Sequence, residues 1–94
     1  MLQLTNNGYV KVIHIAGVLI RSCQSTNNDI GLVKGLFWHD ATFYYDGFEI
    51  KDDVAWVKIN PSLYICVDDT AIQYAVQYYP TEEEKKYFGK NKNV

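Results

Sequence analysis

Five aspartates, Asp46, Asp52, Asp53, Asp68 and Asp69, are the residues whose type and spacing first suggest chemistry. The two adjacent pairs among them invite a reading as paired catalytic carboxylates or a calcium site. Neither reading extends to a mechanism, because no EF-hand spacing is present and no carboxylate pair stands beside a candidate nucleophile. Most of these aspartates fall in segments that read as turns, where Asp is favoured because its carboxylate accepts hydrogen bonds from backbone a residue or two on. Cys23 and Cys66 lack the CxxC spacing of a redox or zinc site and read as small hydrophobes, a bridge between them remaining open if their strands meet. His14 has no second ligand at metal-binding distance in sequence. No catalysis, metal or cofactor is therefore expected.

The aromatic residues are the other candidates. Tyr45 and Tyr64 suit a binding groove, since a tyrosine ring stacks while its hydroxyl stays in water or on a ligand. Trp56, mid-strand between apolar neighbours, reads first as a core residue. Asn7 and Tyr9, at the start of the first β-rich run, read on their own as a turn residue and a surface aromatic.

Positioning these side chains falls to short strands. The 94 residues suffice for one domain, and 48% hydrophobic content with eight Tyr, four Phe and two Trp describes a folded, aromatic-rich module. A net charge of −2 provides no basic stripe for a nucleic acid or an anionic membrane. No apolar run is long enough for a spanning helix, and MLQLTNNGY lacks the regions of a signal peptide. Synthesis in a cytosol is expected.

After the Asn6-Asn7-Gly8 turn, Tyr9 to Ile15 alternates and then slips phase at Val12-Ile13, which suits a bulge or a strand buried on both faces. Val18 to Ser22 starts another strand, a polar loop follows, and the glycines in Gly31 to Trp38 suggest short, bent strand pieces. Thr42 to Val67 reads as a three-strand meander: a ribbon kinked at Asp46-Gly47, a strand from Val54 to Ile59 with Val54, Trp56 and Lys58 on one face, and a strand from Leu63 to Val67. The turns are Lys51-Asp52-Asp53 and Asn60-Pro61-Ser62. In AIQYAVQYY, Ile72, Tyr74, Val76 and Tyr78 form the side expected to face inward. Thr81 with Glu84 makes a capping box, so a short helix is expected over Glu82 to Phe88, anchored by Tyr87 and Phe88 and capped by Gly89, with a frayed end beyond. The expected architecture is all-β: a small, SH3-like, partly open barrel spanning 1–94, with its core at about 9–79 and a short C-terminal helix at about 82–88.

Tyr45-Asp46, nine residues, then Trp56-Val57 resembles the Tyr-Asp, turn and Trp-bearing strand of bacterial SH3 (SH3b) domains, as in phage endolysins and lysostaphin-like enzymes. Leu63-Tyr64-Ile65-Cys66-Val67 resembles the family's following strand, and Gly17 to Ser22 its entry strand ending in Arg-Ser. The resemblance covers roughly Gly17 to Val67. It implies a non-catalytic cell-wall-binding module that grips a peptidoglycan stem or cross-bridge peptide and targets a lytic enzyme to Gram-positive bacteria, acting at the wall after phage lysis. The ligand-binding residues it implies are Asn7, Tyr9, Tyr45, Asp46, Trp56 and Tyr64. Weak single-site binding would be raised by repetition on the wall or by homo-oligomerisation. The alternative is a small intracellular phage or bacterial protein that binds and modulates a host protein.

Overall fold

Ten side chains drawn from both sheets of the protein form one apolar core, among them Val10, Val12, Phe43, Tyr45, Val57 and Ile65. The computed structural model describes residues 1–88. The strands are β1 (Asn7–Val12), β2 (Val18–Arg21), β3 (Val33–Phe37), β4 (Thr42–Asp46), β5 (Phe48–Lys51), β6 (Val54–Asn60), β7 (Leu63–Asp68) and β8 (Ala75–Tyr78), followed by the helix α1 (Glu82–Lys85). All pairings are antiparallel, in a three-stranded sheet of order β4-β1-β8 and a five-stranded sheet of order β3-β2-β7-β6-β5. The result is a small, barrel-like, all-β fold with one short helix, as expected.

The meander is formed by β5, β6 and β7. Its first ribbon, however, divides at Gly47, so that β4 pairs with β1 in one sheet and β5 with β6 in the other. Gly47 has φ +146, and a Cβ there would sit 3.3 Å from Lys58 Cε, so a residue without a side chain suits this corner. The β5–β6 hairpin turns on Asp52 and Asp53, whose φ values of 52° and 63° are those of a two-residue type I′ turn. At the β6–β7 turn, Asn60 Oδ1 accepts from Ser62 N at 2.9 Å and so fixes the Asx geometry.

Two strands are shorter than the periodicity suggests. β1 stops at Val12 because His14 to Gly17 form a turn closed by Gly17 N donating to His14 O at 2.9 Å, leaving Ile13 and Ile15 exposed. β8 begins only at Ala75: Asp69 Oδ1 accepts from the amides of Ala71 and Ile72 and bends the preceding segment into a loop. The inward face of β8 is also the opposite of the expected one. Val12 pairs with Ala75 and Val10 with Gln77, and directly opposed residues share a face. Since Val10 and Val12 are in the core, Ala75 and Gln77 point inward within β8, while of the expected set Ile72 is exposed and Tyr74, just before the strand, packs against the core.

At the C-terminus the capping box forms in both directions, with Glu84 N donating to Thr81 Oγ1 and Thr81 N to Glu84 Oε1. The helix is nevertheless one turn, ending at Lys85, not Phe88. Phe88 does anchor the segment, its ring 5.9 Å from Tyr9 and 6.0 Å from Tyr78. Tyr87 does not, being 79% exposed. The cap at Gly89 and the frayed end lie outside the described residues.

Candidate functional site: a trough over Trp56

The register of the five-stranded sheet settles which side chains meet on its outer face. Glu49 pairs with Trp56, Trp56 with Cys66 and Lys58 with Tyr64, so these rungs lie side by side, while Val57 and Ile65 turn into the core. Trp56 therefore stands outside the main core cluster, yet only 2% of it is exposed. Its cover is the β2–β3 loop, which folds across the sheet. That loop is organised from within: Arg21 Nη1 donates to Asn28 Oδ1 at 2.7 Å and to Gly31 O at 3.0 Å, and Asp29 N donates to Asn27 Oδ1 at 2.8 Å. Gln24 then donates from Nε2 to Glu49 Oε1, tying the loop to β5 above the indole.

Two concavities share Trp56 and Gln24. One, of about 300 Å³, lies toward the Gly47 corner and is walled by Gly47, Phe48, Glu49, Lys58 and Tyr64. The other, of about 360 Å³, lies toward the hairpin and is walled by Ser25, Thr26, Ile30, Lys51, Asp52 and Val54. Together they form a trough along β5, which is the edge strand of its sheet. The Phe48 and Tyr64 rings, two cations (Lys51 and Lys58) and two carboxylates (Glu49 and Asp52) along such a trough can stack on and hydrogen-bond a flat, extended ligand.

Of the six predicted ligand-binding residues, the trough contains two, Trp56 and Tyr64. Tyr45 requires correction. It is fully buried, its hydroxyl donating to Thr5 O at 2.9 Å, accepting from Gln77 Nε2 at 2.9 Å and lying 3.0 Å from Thr5 Oγ1. No face of its ring is left for a ligand. Asp46 is exposed at the end of β4, opposite Asn7, and lines none of these cavities. Asn7 and Tyr9 border a separate depression of about 270 Å³ with Tyr78, Tyr79 and Pro80, which shares no lining residue with the trough. Tyr9 is a buried packing residue, edge-on to Tyr44 at 5.4 Å.

Residue types alone did not single out Gln24, Phe48, Glu49 and Lys58. The alternation that places Val54, Trp56 and Lys58 on one face does contain the signal for Lys58. Gln24 carries none, because its place depends on how a polar loop folds over the sheet.

Two adjacent aspartates, Asp68 and Asp69, hold backbone in place. Asp68 Oδ2 accepts from Leu2 N and its Oδ1 from Thr70 N, both at 2.8 Å. The Asp69 carboxyl is held below its usual range, first by the Ile72 amide and then by the Tyr74 hydroxyl and the Ala71 amide. Cys23 and Cys66 are free thiols, and burial, reinforced by the Asp69 charge, pushes Cys66 up to about 12. Among the described residues no group of three or more His, Cys, Asp or Glu is arranged to hold a metal ion, and no helix is long and apolar enough to cross a membrane.

No family model, curated protein or solved structure matches the chain.

Proposed function

We propose that this protein is a non-catalytic binding module whose trough over Trp56 takes an extended peptide, and that the peptide is a stem or cross-bridge peptide of peptidoglycan. The module would then deliver a phage lytic enzyme to Gram-positive walls. The observation that carries the reading is the trough itself: Phe48 and Tyr64 as aromatic walls beside the loop-covered Trp56, and an edge strand alongside. Peptides with small side chains present backbone groups and flat surface, which such a trough matches. The wall peptide is the ligand implied by the SH3b resemblance, two of whose residues, Trp56 and Tyr64, lie in it.

The test is co-sedimentation of a fluorescent fusion with purified walls from several Gram-positive genera. Retention by at least one wall, lost on Tyr64→Ala in a folded variant, is the expected result. Retention by none across a broad panel overturns the reading.

A second reading, capture of a host protein or self-association through the C-terminal segment, is favoured by Tyr79 and Tyr87, which are 82% and 79% exposed. It predicts that a pull-down from host lysate recovers a specific protein, or that removing residues 80–94 lowers the mass in solution. If neither occurs while walls retain the domain, this reading fails.

A further inference from the structure

Three side chains that line the 300 Å³ pocket carry hydrogen-bond donors with no acceptor among the described residues. Trp56 is 98% buried by its 2% exposure, yet its indole N–H has no partner among the described residues. The same holds for the Lys58 ammonium, which forms no ion pair there, and for the Tyr64 hydroxyl. All three side chains line one cavity, placed there by the Trp56, Lys58 and Tyr64 positions on one face of the β6–β7 ladder. A buried indole N–H normally finds a partner, because leaving one unmade costs about 1–3 kcal/mol.

We propose that this pocket takes the C-terminal carboxylate of a peptide. The inference rests on reading the trough as a peptide site and names the chemical end of the peptide that the Gly47 corner receives. A carboxylate has acceptor capacity for all three donors and is the charge complement of Lys58. A phosphate dianion fits less well, because the opposite wall holds the Glu49 carboxylate and only one cation is present to offset it. Glu49 is itself engaged by Gln24, which leaves the Lys58 side of the pocket for the incoming anion. Phe48 offers an apolar surface for the last side chain.

The experiment uses the full chain labelled with ¹⁵N, whose two indole N–H resonances belong to Trp56 and to Trp38, the latter 71% exposed and outside the trough. N-acetyl-triglycine, its C-terminal amide and sodium acetate are titrated separately. The acid should shift the Trp56 resonance saturably and leave Trp38 in place, with the amide weaker by roughly tenfold, as expected for hydrogen bonds to a charged group. Lys58→Met, which keeps an unbranched stem packed on Gly47, should weaken the acid and leave the amide unchanged. Glu49→Gln should strengthen the acid. Equal affinity for acid and amide overturns the carboxylate assignment while leaving the peptide reading intact. Acetate matching the acid at equal concentration also overturns it, reducing the pocket to a simple anion site. If neither peptide moves the Trp56 resonance, both the assignment and the peptide reading fail.

Discussion

Replacing Tyr45 with Phe removes a single oxygen from a fully buried ring, and the consequence separates a core role from a ligand-binding one. The hydroxyl joins the N-terminal segment to β8, donating to Thr5 O and accepting from Gln77 Nε2, each at 2.9 Å. Each net hydrogen bond stabilises by about 1 kcal/mol, and a buried group left unpaired costs more. Both partners are incompletely buried, so water can satisfy part of what they lose. The expected loss is therefore about 1–2 kcal/mol, short of the full penalty for stranding two groups. For a domain of this size each kcal/mol lowers the melting temperature by about 4–8 °C. Urea unfolding of Tyr45→Phe, Gln77→Leu and the double variant would measure it, and the double variant should lose less than the sum of the singles because both remove one interaction. Wall or peptide binding should survive in Tyr45→Phe wherever it is folded. Unchanged stability with lost binding would refute the placement of Tyr45 in the core.

Further outcomes follow from particular contacts. Gly31→Ala would put a Cβ 2.0 Å from Ser25 O within the loop that covers Trp56, so stability should fall by at least about 1 kcal/mol and, in a Trp38→Phe background, emission should shift to the red; an unshifted spectrum would show that the loop does not cover the indole. With a disulfide-exchange reagent at mildly alkaline pH, the half-buried Cys23 should react quickly and Cys66 slowly, since burial holds its thiol protonated, whereas equal rates would contradict that burial. Asp69 has a folded-state pKa below its unfolded one, so its contribution is fully present above the ordinary aspartate range and is lost as pH falls through the folded value. The difference in melting temperature between wild type and Asp69→Asn should accordingly shrink as the pH is lowered through that range, and a gap independent of pH would refute the ionic origin.

Much of the fold was legible because short-range chemistry wrote it. The Asp52-Asp53 and Asn60-Pro61-Ser62 turns, the alternation of β6 and the Thr81–Glu84 capping box all follow from residues a few positions apart. The strand ends at Val12 and before Ala75 were less legible, since each depends on a turn that competes with an otherwise continuous β pattern. Periodicity also identifies two faces of a strand without saying which one is covered.

That ambiguity decided the candidate site. In AIQYAVQYY the bulkier face looks like the inner one, but pairing with β1 turns Ala75 and Gln77 inward, where Ala fits beside Val12 and the Gln amide reaches the Tyr45 hydroxyl. Trp56 shows the reverse: its face points away from the core, and the β2–β3 loop buries it by crossing the sheet. The sequence by itself determined an all-β domain, its turns and the alternation of Trp56 with its neighbours, because these depend on local backbone preference and hydrophobic period. Only the tertiary structure decided that Tyr45 is core and that Trp56, Lys58 and Tyr64 share a pocket, because strand register and loop placement are set by contacts between residues distant in the chain.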